Sequence, residues 1–322
     1  MAKNENLHKA KSAKNDEFYT QLTDIEKEMV HYKDQFKGKT VYCNCDDARE
    51  SNFFKYFSLN FEFLGLKKLI TTGFKADGKG VVLIYGGDKN GNKRPDDDEI
   101  VVRELEGNGD FRSPECVEFL KEADIVVTNP PFSLFRQYIA QLMEYGKKFI
   151  VIGNTQAITY KEVFPYIKAN ELWLGVSSFN SGMYFVVPEN YQYAATYKFD
   201  RERNGNKVMR VASICWFTNM PHEKRNRPID LYKTYSNECY PHYDNYNAIE
   251  VSKVQEIPMD YDGVMGVPIT FLDKYCPDQF EIVGLMSGAK DEGLLNGNDG
   301  KAKWYINGKG IYARIAIKHK SF

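Results

Sequence analysis

The stretch Ile125-Val126-Val127-Thr128 runs without a charge or turn residue into Asn129-Pro130-Pro131-Phe132, and no other segment constrains the fold as strongly. A short β-branched run with no alternation reads as a buried strand. Two consecutive prolines then fix φ and delete two backbone N–H donors, so the chain leaves the strand in a stiff turn that presents acceptors. Ser133 is placed to cap a following helix whose apolar positions Leu134, Phe135, Tyr138 and Leu142 keep helical spacing.

The same strand-then-helix rhythm extends in both directions. Strands are expected at Thr40–Cys43, Lys68–Thr71, Val81–Tyr85 and Phe149–Ile152. Between them, Phe53, Phe57 and Phe61 recur every fourth residue beside Phe54, and Ser113-Pro114-Glu115 opens a helix. Two capping boxes, Thr23-Asp24-Ile25-Glu26 and Thr159-Tyr160-Lys161-Glu162, predict helices to about Phe36 and Ala169. The Gly-, Asn- and Asp-rich stretch 86–95 reads as a hairpin tip. After about residue 170 strands follow one another at Glu171–Val176, Met183–Val187 and Val211–Phe217. The fold class is therefore α/β: a Rossmann-like, mostly parallel sheet closed by an antiparallel hairpin. Ligands of such sheets sit at the carboxyl ends of the strands, where Asn129 falls. From Pro221 onward Tyr, Asn, Asp, Gly and Pro dominate, so residues 1–220 and 221–322 are expected to form separate regions, the second loop-rich.

Composition excludes several classes. No run of 18 apolar residues exists, so no membrane span is expected, and the first 20 residues lack the apolar core of a signal peptide. Six irregularly spaced cysteines read as reduced thiols of a cytoplasmic protein. Cys43 and Cys45 have no second pair at ligand spacing, so no metal site is expected. A net charge of −1 conceals an asymmetry: between Lys198 and Lys233 there are nine Lys or Arg against four acids, whereas acids concentrate between Asp88 and Glu106. Such a distribution fits a basic face turned to phosphates.

The tetrapeptide suggests a chemistry. The Asn129 side-chain oxygen and the Pro130 carbonyl are two acceptors for one exposed amino group, and Phe132 offers a face for a planar ring. The motif resembles the catalytic tetrapeptide of amino-methyltransferases, which move a methyl group from S-adenosylmethionine to nitrogen. Such a transfer needs positioning and matched electrostatics rather than a strong base. The motif leaves open which amine is methylated: adenine, cytosine N4, an RNA adenine or a protein glutamine.

Further segments narrow the resemblance. KNDEFYT near 14–20, VYCNCDDARESNFFKYF at 41–57, GDFRS at 109–113, DIVVTNPPFSLF at 124–135, YDNYNAIEV and MDYDGVMGVPITFLDKY are together similar to the EcoRI-type family of type II DNA adenine-N6 methyltransferases. The resemblance implies S-adenosylmethionine as cofactor and double-stranded DNA as partner. It also implies action as a monomer beside a cognate restriction endonuclease, with GAATTC the first site to test. Phe18, Tyr19 and Thr20 fall in its N-terminal cofactor motif, Asp110 matches the acid that accepts from the cofactor's adenine amine, and Asn129, Pro130 and Phe132 take the catalytic roles. The loop after the first strand, Cys43-Asn44-Cys45-Asp46-Asp47-Ala48-Arg49, has no glycine. Close approach to a cofactor is therefore expected in ordinary backbone geometry, with Asp46 or Asp47 the candidate partner of the cofactor's ammonium. This loop also leaves room for a DNA-binding protein that lost catalysis.

An adenine inside a duplex must be flipped out to be methylated. Phe132 would cover one face of the ring, and Phe179, Tyr184 and Phe185 are the candidates for the other. Arg201, Arg203, Lys207, Arg210, Arg225 and Arg227 are the expected DNA-binding residues, in the basic segment 198–233 that bridges the two regions.

Overall fold

The computed structural model describes residues 19–45, 47–177, 179, 182–187, 199–201, 205, 207–286, 297 and 303–320. The chain divides into two compact units, residues 1–155 with 175–220, and residues 156–174 with 221–322.

The first unit is built on a sheet whose centre is parallel. Thr40–Cys43 (β2) pairs with Lys68–Gly73 (β3) on one side and with Ile125–Thr128 (β6) on the other. Strand β6 pairs in parallel with Lys148–Asn154 (β7). All four residues of β2 and of β6 are buried, as expected of strands covered on both faces. Ile214–Thr218 (β12) returns antiparallel beside β7. The opposite edge departs from simple alternation. Val81–Tyr85 (β4) lies antiparallel to β3, and Ile100–Glu104 (β5) antiparallel to β4. The reason is length: the link between Gly73 and Val81 is too short for a crossover helix. A separate small sheet joins Tyr19–Thr20 (β1), Met183–Val186 (β9), Lys207–Val211 (β11) and Phe199–Arg201 (β10), all antiparallel. Strands expected to extend the main sheet at 183–187 and 211 thus belong here instead.

Helices cover the main sheet where the sequence places apolar stripes. Asn52–Leu59 (α2) starts at Ser51, whose hydroxyl accepts from Phe53 N–H, and buries Phe53, Phe54, Tyr56 and Phe57. Each such ring contributes about 1.5–3 kcal/mol relative to exposure. Phe61 continues the pattern in a separate turn, Phe61–Leu64 (α3), which Gly65 ends at φ 62°. Pro114–Glu122 (α4) is capped by Ser113 with proline in its first turn. Other expected starts shift. Helix α1 spans Leu22–Met29 from Gln21, so Thr23 lies inside it and caps nothing. Thr159 donates to the Gln156 carbonyl, and the next helix (α6) is Phe164–Lys168. Ser133 is exposed within a 3-10 turn, and helix α5, Phe135–Glu144, begins without a side-chain cap. In each case tertiary packing outweighs a cap worth about 1 kcal/mol.

The second unit contains Trp173–Leu174 (β8) and a sheet ordered Ile249–Glu250 (β13), Met265–Pro268 (β14), Arg314–His319 (β18), Phe280–Met286 (β15). Tyr305–Ile306 (β16) and Lys309–Gly310 (β17) form a small hairpin. Trp304 stacks on Tyr246 at 4.1 Å and meets Tyr243 edge-on, centring the apolar cluster. Beside it Arg314 grips buried Glu250 at 2.7 and 3.0 Å, and Tyr243 donates to the same carboxylate. Among the described residues no helix is long and apolar enough to cross a membrane.

Candidate active site

Two chain segments leave the parallel strands β2 and β6 at their carboxyl ends, and hydrogen bonds tie them together. Strand β6 delivers Thr128 and the tetrapeptide. Pro130 is buried, Asn129 and Phe132 are half-buried, and Phe132 packs against the main core. The Asn129 side-chain oxygen lies beneath the solvent-accessible surface. Pro131 accepts from Leu134 N–H at 2.9 Å, closing the 3-10 turn that carries Phe132.

Strand β2 delivers Asn44, which is 3% exposed. The Thr128 hydroxyl donates to the Asn44 carbonyl, and the Tyr138 hydroxyl of α5 donates to Asn44 Oδ1. Tyr138 is fully buried, and burial pushes its phenol well above the ordinary range, so it remains a donor. Asn44 therefore joins the loop after β2, the end of β6 and the helix behind the tetrapeptide. Sequence reasoning passed over it, because a lone Asn carries no periodic signal.

The next residue corrects the expectation of ordinary geometry in this loop. Cys45 has φ 69°, the left-handed conformation that glycine adopts without penalty. The turn is thus of the glycine type, made by a residue that bears a strain of about 1 kcal/mol. Asp46 lies outside the described residues. Asp47 is exposed and accepts from Arg49 and Glu50 N–H at 2.9 and 3.0 Å, so its Oδ1 is engaged in shaping the turn.

Asp110 reaches the same edge through Gly109. At φ 82° a Cβ on Gly109 would stand 2.3 Å from the Gly73 carbonyl, so only glycine brings this segment against the end of β3. The Asp110 carboxylate is held by Arg112 at 2.9 and 2.6 Å, and Arg112 also donates to Gln137 of α5 at 2.9 Å. These hydrogen bonds hold the Asp110 carboxyl below the usual carboxylate range, against the opposing effect of burial. Phe111 meets Tyr138 edge-on at 5.0 Å, fixing the segment on the tetrapeptide's helix. Arg112 is a neighbour of Asp110 that sequence reasoning did not single out.

The N-terminal segment runs along the small sheet. Tyr19 pairs with Val186 and Thr20 with Phe185, while Phe18 lies outside the described residues. Asn52 donates to the Thr20 carbonyl at 2.8 Å, anchoring the segment to α2. The hydroxyls of Thr20 and of Thr71 on β3 are buried without a hydrogen-bond partner among the described residues. Buried hydroxyls without a partner are uncommon in native proteins. Of the three aromatic candidates, Phe179 and Phe185 are buried core, whereas Tyr184 is 41% exposed.

The basic residues divide between the units. On the small sheet of the first unit, Arg210 is exposed and sits opposite Tyr184, while Lys207 is half-buried opposite Arg201. Arg203 lies outside the described residues. In the second unit Arg225 is half-buried, its guanidinium 3.6 Å from the Trp173 ring centre and its Nε buried, so packing already occupies it. Arg227 is exposed. Among the described residues no group of three or more His, Cys, Asp or Glu side chains could hold a metal ion.

A parallel α/β sheet with an antiparallel strand beside its last parallel one, and Asn-Pro-Pro-Phe at the end of a central strand, defines a Rossmann-like methyltransferase. Comparison with known sequences specifies which. The profile of the adenine-specific methyltransferase EcoRI family matches residues 6–320, and the chain belongs to that family. It is 47% identical to the type II methyltransferase M.EcoRI of Escherichia coli, over 99% of this chain and 98% of that protein. It is also 40% identical to M.MpnI of Mycoplasma pneumoniae, over 98% of each chain. The identity to M.MgeORF184P of Mycoplasma genitalium is 39%, over 97% of this chain and 98% of that one. Its enzyme class is that of adenine-specific type II methyltransferases.

Proposed function

We propose that this protein methylates N6 of an adenine in a specific duplex DNA site, with S-adenosylmethionine as donor, and that it flips the base out to do so. The observation that carries the reading is the intact tetrapeptide at the carboxyl end of β6, locked through Asn44 to the loop after β2. When bound, the donor supplies an electrophilic methyl group on a sulfonium. Thr20, Asp110 and the loop at Cys45 are the residues that would hold it, and two features fit that role: the orphaned Thr20 hydroxyl and the glycine-like backbone at Cys45.

The chain's own residues then do the following. Asn129 Oδ1 and the Pro130 carbonyl accept from the N6 amine and turn its lone pair out of conjugation with the ring. Both oxygens stabilise the positive charge that grows on nitrogen, which is where oriented dipoles act most effectively. Phe132 stacks on the adenine, and Tyr184 is the exposed aromatic available for the second face. Arg201, Arg203, Lys207, Arg210 and Arg227 serve phosphates and base edges, and residues 221–322 contribute to target recognition. GAATTC is the site proposed, from kinship with M.EcoRI.

The test incubates the full chain with methyl-labelled S-adenosylmethionine and unmethylated plasmid, then separates nucleosides and maps the modified positions. Labelled N6-methyladenine within GAATTC is expected, and Asn129→Ala should abolish transfer while leaving DNA binding in place. Label in N4-methylcytosine, or undiminished turnover of Asn129→Ala, would overturn the reading.

A further inference from the structure

The last described stretch of the chain carries a charge that the active site does not use. From Lys303 to Lys320 there are five Lys or Arg and no Asp or Glu. Its first part is the hairpin of β16 and β17, in which Tyr305 pairs with Gly310 and Ile306 with Lys309. Asn307 and Gly308 form the tip at φ 50° and 72°, the two left-handed residues of a type I′ turn. Beyond the ladder Ile311 N–H donates to the Trp304 carbonyl at 2.9 Å, which continues the pairing and sets Lys303 opposite Tyr312.

Strand alternation sorts these residues onto two faces. Trp304, Ile306 and Ile311 share one face and pack into the apolar cluster of the second unit. Lys303, Gly310 and Tyr312 share the other, where Lys303 is exposed and Tyr312 is 74% exposed. The Lys303 stem lies across Gly310, since a Cβ there would collide with it. Asn307 and Lys309 are exposed at the tip. Among the described residues neither lysine forms an ion pair, and the Asn307 carboxamide makes no hydrogen bond. Asp244 touches the hairpin, but its two carboxylate oxygens accept from the N–H groups of Asn307 and Gly308 at 3.1 and 2.8 Å. Asp244 N–H in turn donates to the Tyr305 carbonyl at 2.7 Å. The Asn245 side chain accepts from Tyr305 N–H at 3.1 Å and donates to the Lys303 carbonyl at 3.0 Å. These bonds hold the hairpin in shape before any partner arrives, so little ordering cost remains to be met on binding.

We propose that this hairpin is a DNA-recognition element of the second unit and enters the major groove of the duplex. A two-stranded ribbon is one of the two shapes that this groove admits. Lys303 and Lys309 take backbone phosphates, for which ammonium groups on an acid-free stretch are suited. They lie on opposite faces of the ribbon, as contact with the two phosphate backbones that wall the groove requires. Asn307 reads a base edge, because a carboxamide can pair with N6 and N7 of an adenine together. Tyr312 beside Lys303 adds an aromatic body with a polar end to the contact surface. This role rests on the methylation of duplex DNA proposed above, and it gives residues outside the basic segment 198–233 a part in choosing the site.

The test measures binding of the full chain to a fluorescein-labelled duplex carrying the mapped methylation site, over a series of potassium chloride concentrations. Duplexes with one base pair of the site changed are measured beside it. Lys303→Gln and Lys309→Gln should each weaken binding to every duplex alike and lessen the salt slope by about one. Asn307→Gly keeps the turn, since glycine adopts the same φ, and should keep the parent's thermal midpoint. It should also lose about tenfold in discrimination at one base pair of the site. Unchanged discrimination in Asn307→Gly would leave Asn307 a turn residue only and overturn its base contact. Parental salt slopes in both lysine variants would overturn the groove placement. Failure of the parent to bind the duplex would instead sink the proposed function, and the hairpin's role with it.

Discussion

The bond between Tyr138 and Asn44 offers a sharp test of how the active-site edge is held. Tyr138→Phe removes one hydroxyl and preserves the ring that meets Phe111. Asn44 is 3% exposed, and Tyr138 is the donor to its Oδ1, so the variant leaves a buried carbonyl oxygen without a donor. That costs about 1–3 kcal/mol. Taking ~2 kcal/mol, and a shift of about 2–4 °C per kcal/mol for a unit of this size, the thermal midpoint should fall by roughly 4–8 °C. Asn44→Ala creates the complementary fault, a buried phenol without an acceptor. The double variant orphans neither group, so its loss should be smaller than the sum of the singles by about 1 kcal/mol or more. The Thr128 bond goes to the Asn44 main chain and survives in all three proteins. Scanning calorimetry and urea unfolding of the four proteins measure the cycle. A midpoint for Tyr138→Phe within about 1 °C of the parent, or strict additivity, would refute the reasoning, because a satisfied buried pair cannot be cut without cost.

Cys45→Gly should change stability little, since relief of about 1 kcal/mol of strain offsets the entropy that glycine adds to the unfolded chain, whereas Cys45→Val should cost roughly 1–2 kcal/mol more. Equal urea midpoints for the two would contradict the left-handed assignment at this loop. Arg112→Ala should let Asp110 titrate nearer its ordinary value. Because the folded carboxyl is held low, its contribution is present above about pH 4 and is lost as pH falls through the folded value. The stability gap between parent and variant should therefore close on acidification, and a gap constant with pH would argue against the pairing. Arg314→Ala should destabilise the second unit by about 3–5 kcal/mol by leaving buried Glu250 without its cation, and Arg314→Ala combined with Glu250→Gln should recover part of that loss in the same unfolding assay.

Much of the sheet and of the candidate site was legible in the amino-acid order. Ile125–Thr128 could be read as a central strand because a β-branched run with no polar alternation fits few other places. Ser113-Pro114 and the phenylalanines of α2 announced their helices through local chemistry. Thr23, Ser133 and Thr159 misled because a capping residue favours a helix start by only about 1 kcal/mol, which packing exceeds. Asn44 carried no signal, since its importance lies in a partner 94 residues away.

The sequence by itself determined the α/β class, the place of Asn129-Pro130-Pro131-Phe132 at a strand end, and kinship with an adenine-specific methyltransferase family. These follow from short-range pattern: period, proline stiffness and motif order. Tertiary structure alone decided that Cys45 supplies the turn a glycine would otherwise make, and that Asn44 joins the loop after β2 to the end of β6 and to α5. It also decided that residues 156–174 fold with the second unit. Such features depend on contacts between residues far apart in the chain, as between Asn44 and Tyr138, where the free energy of burial and pairing outweighs what a local stretch prefers.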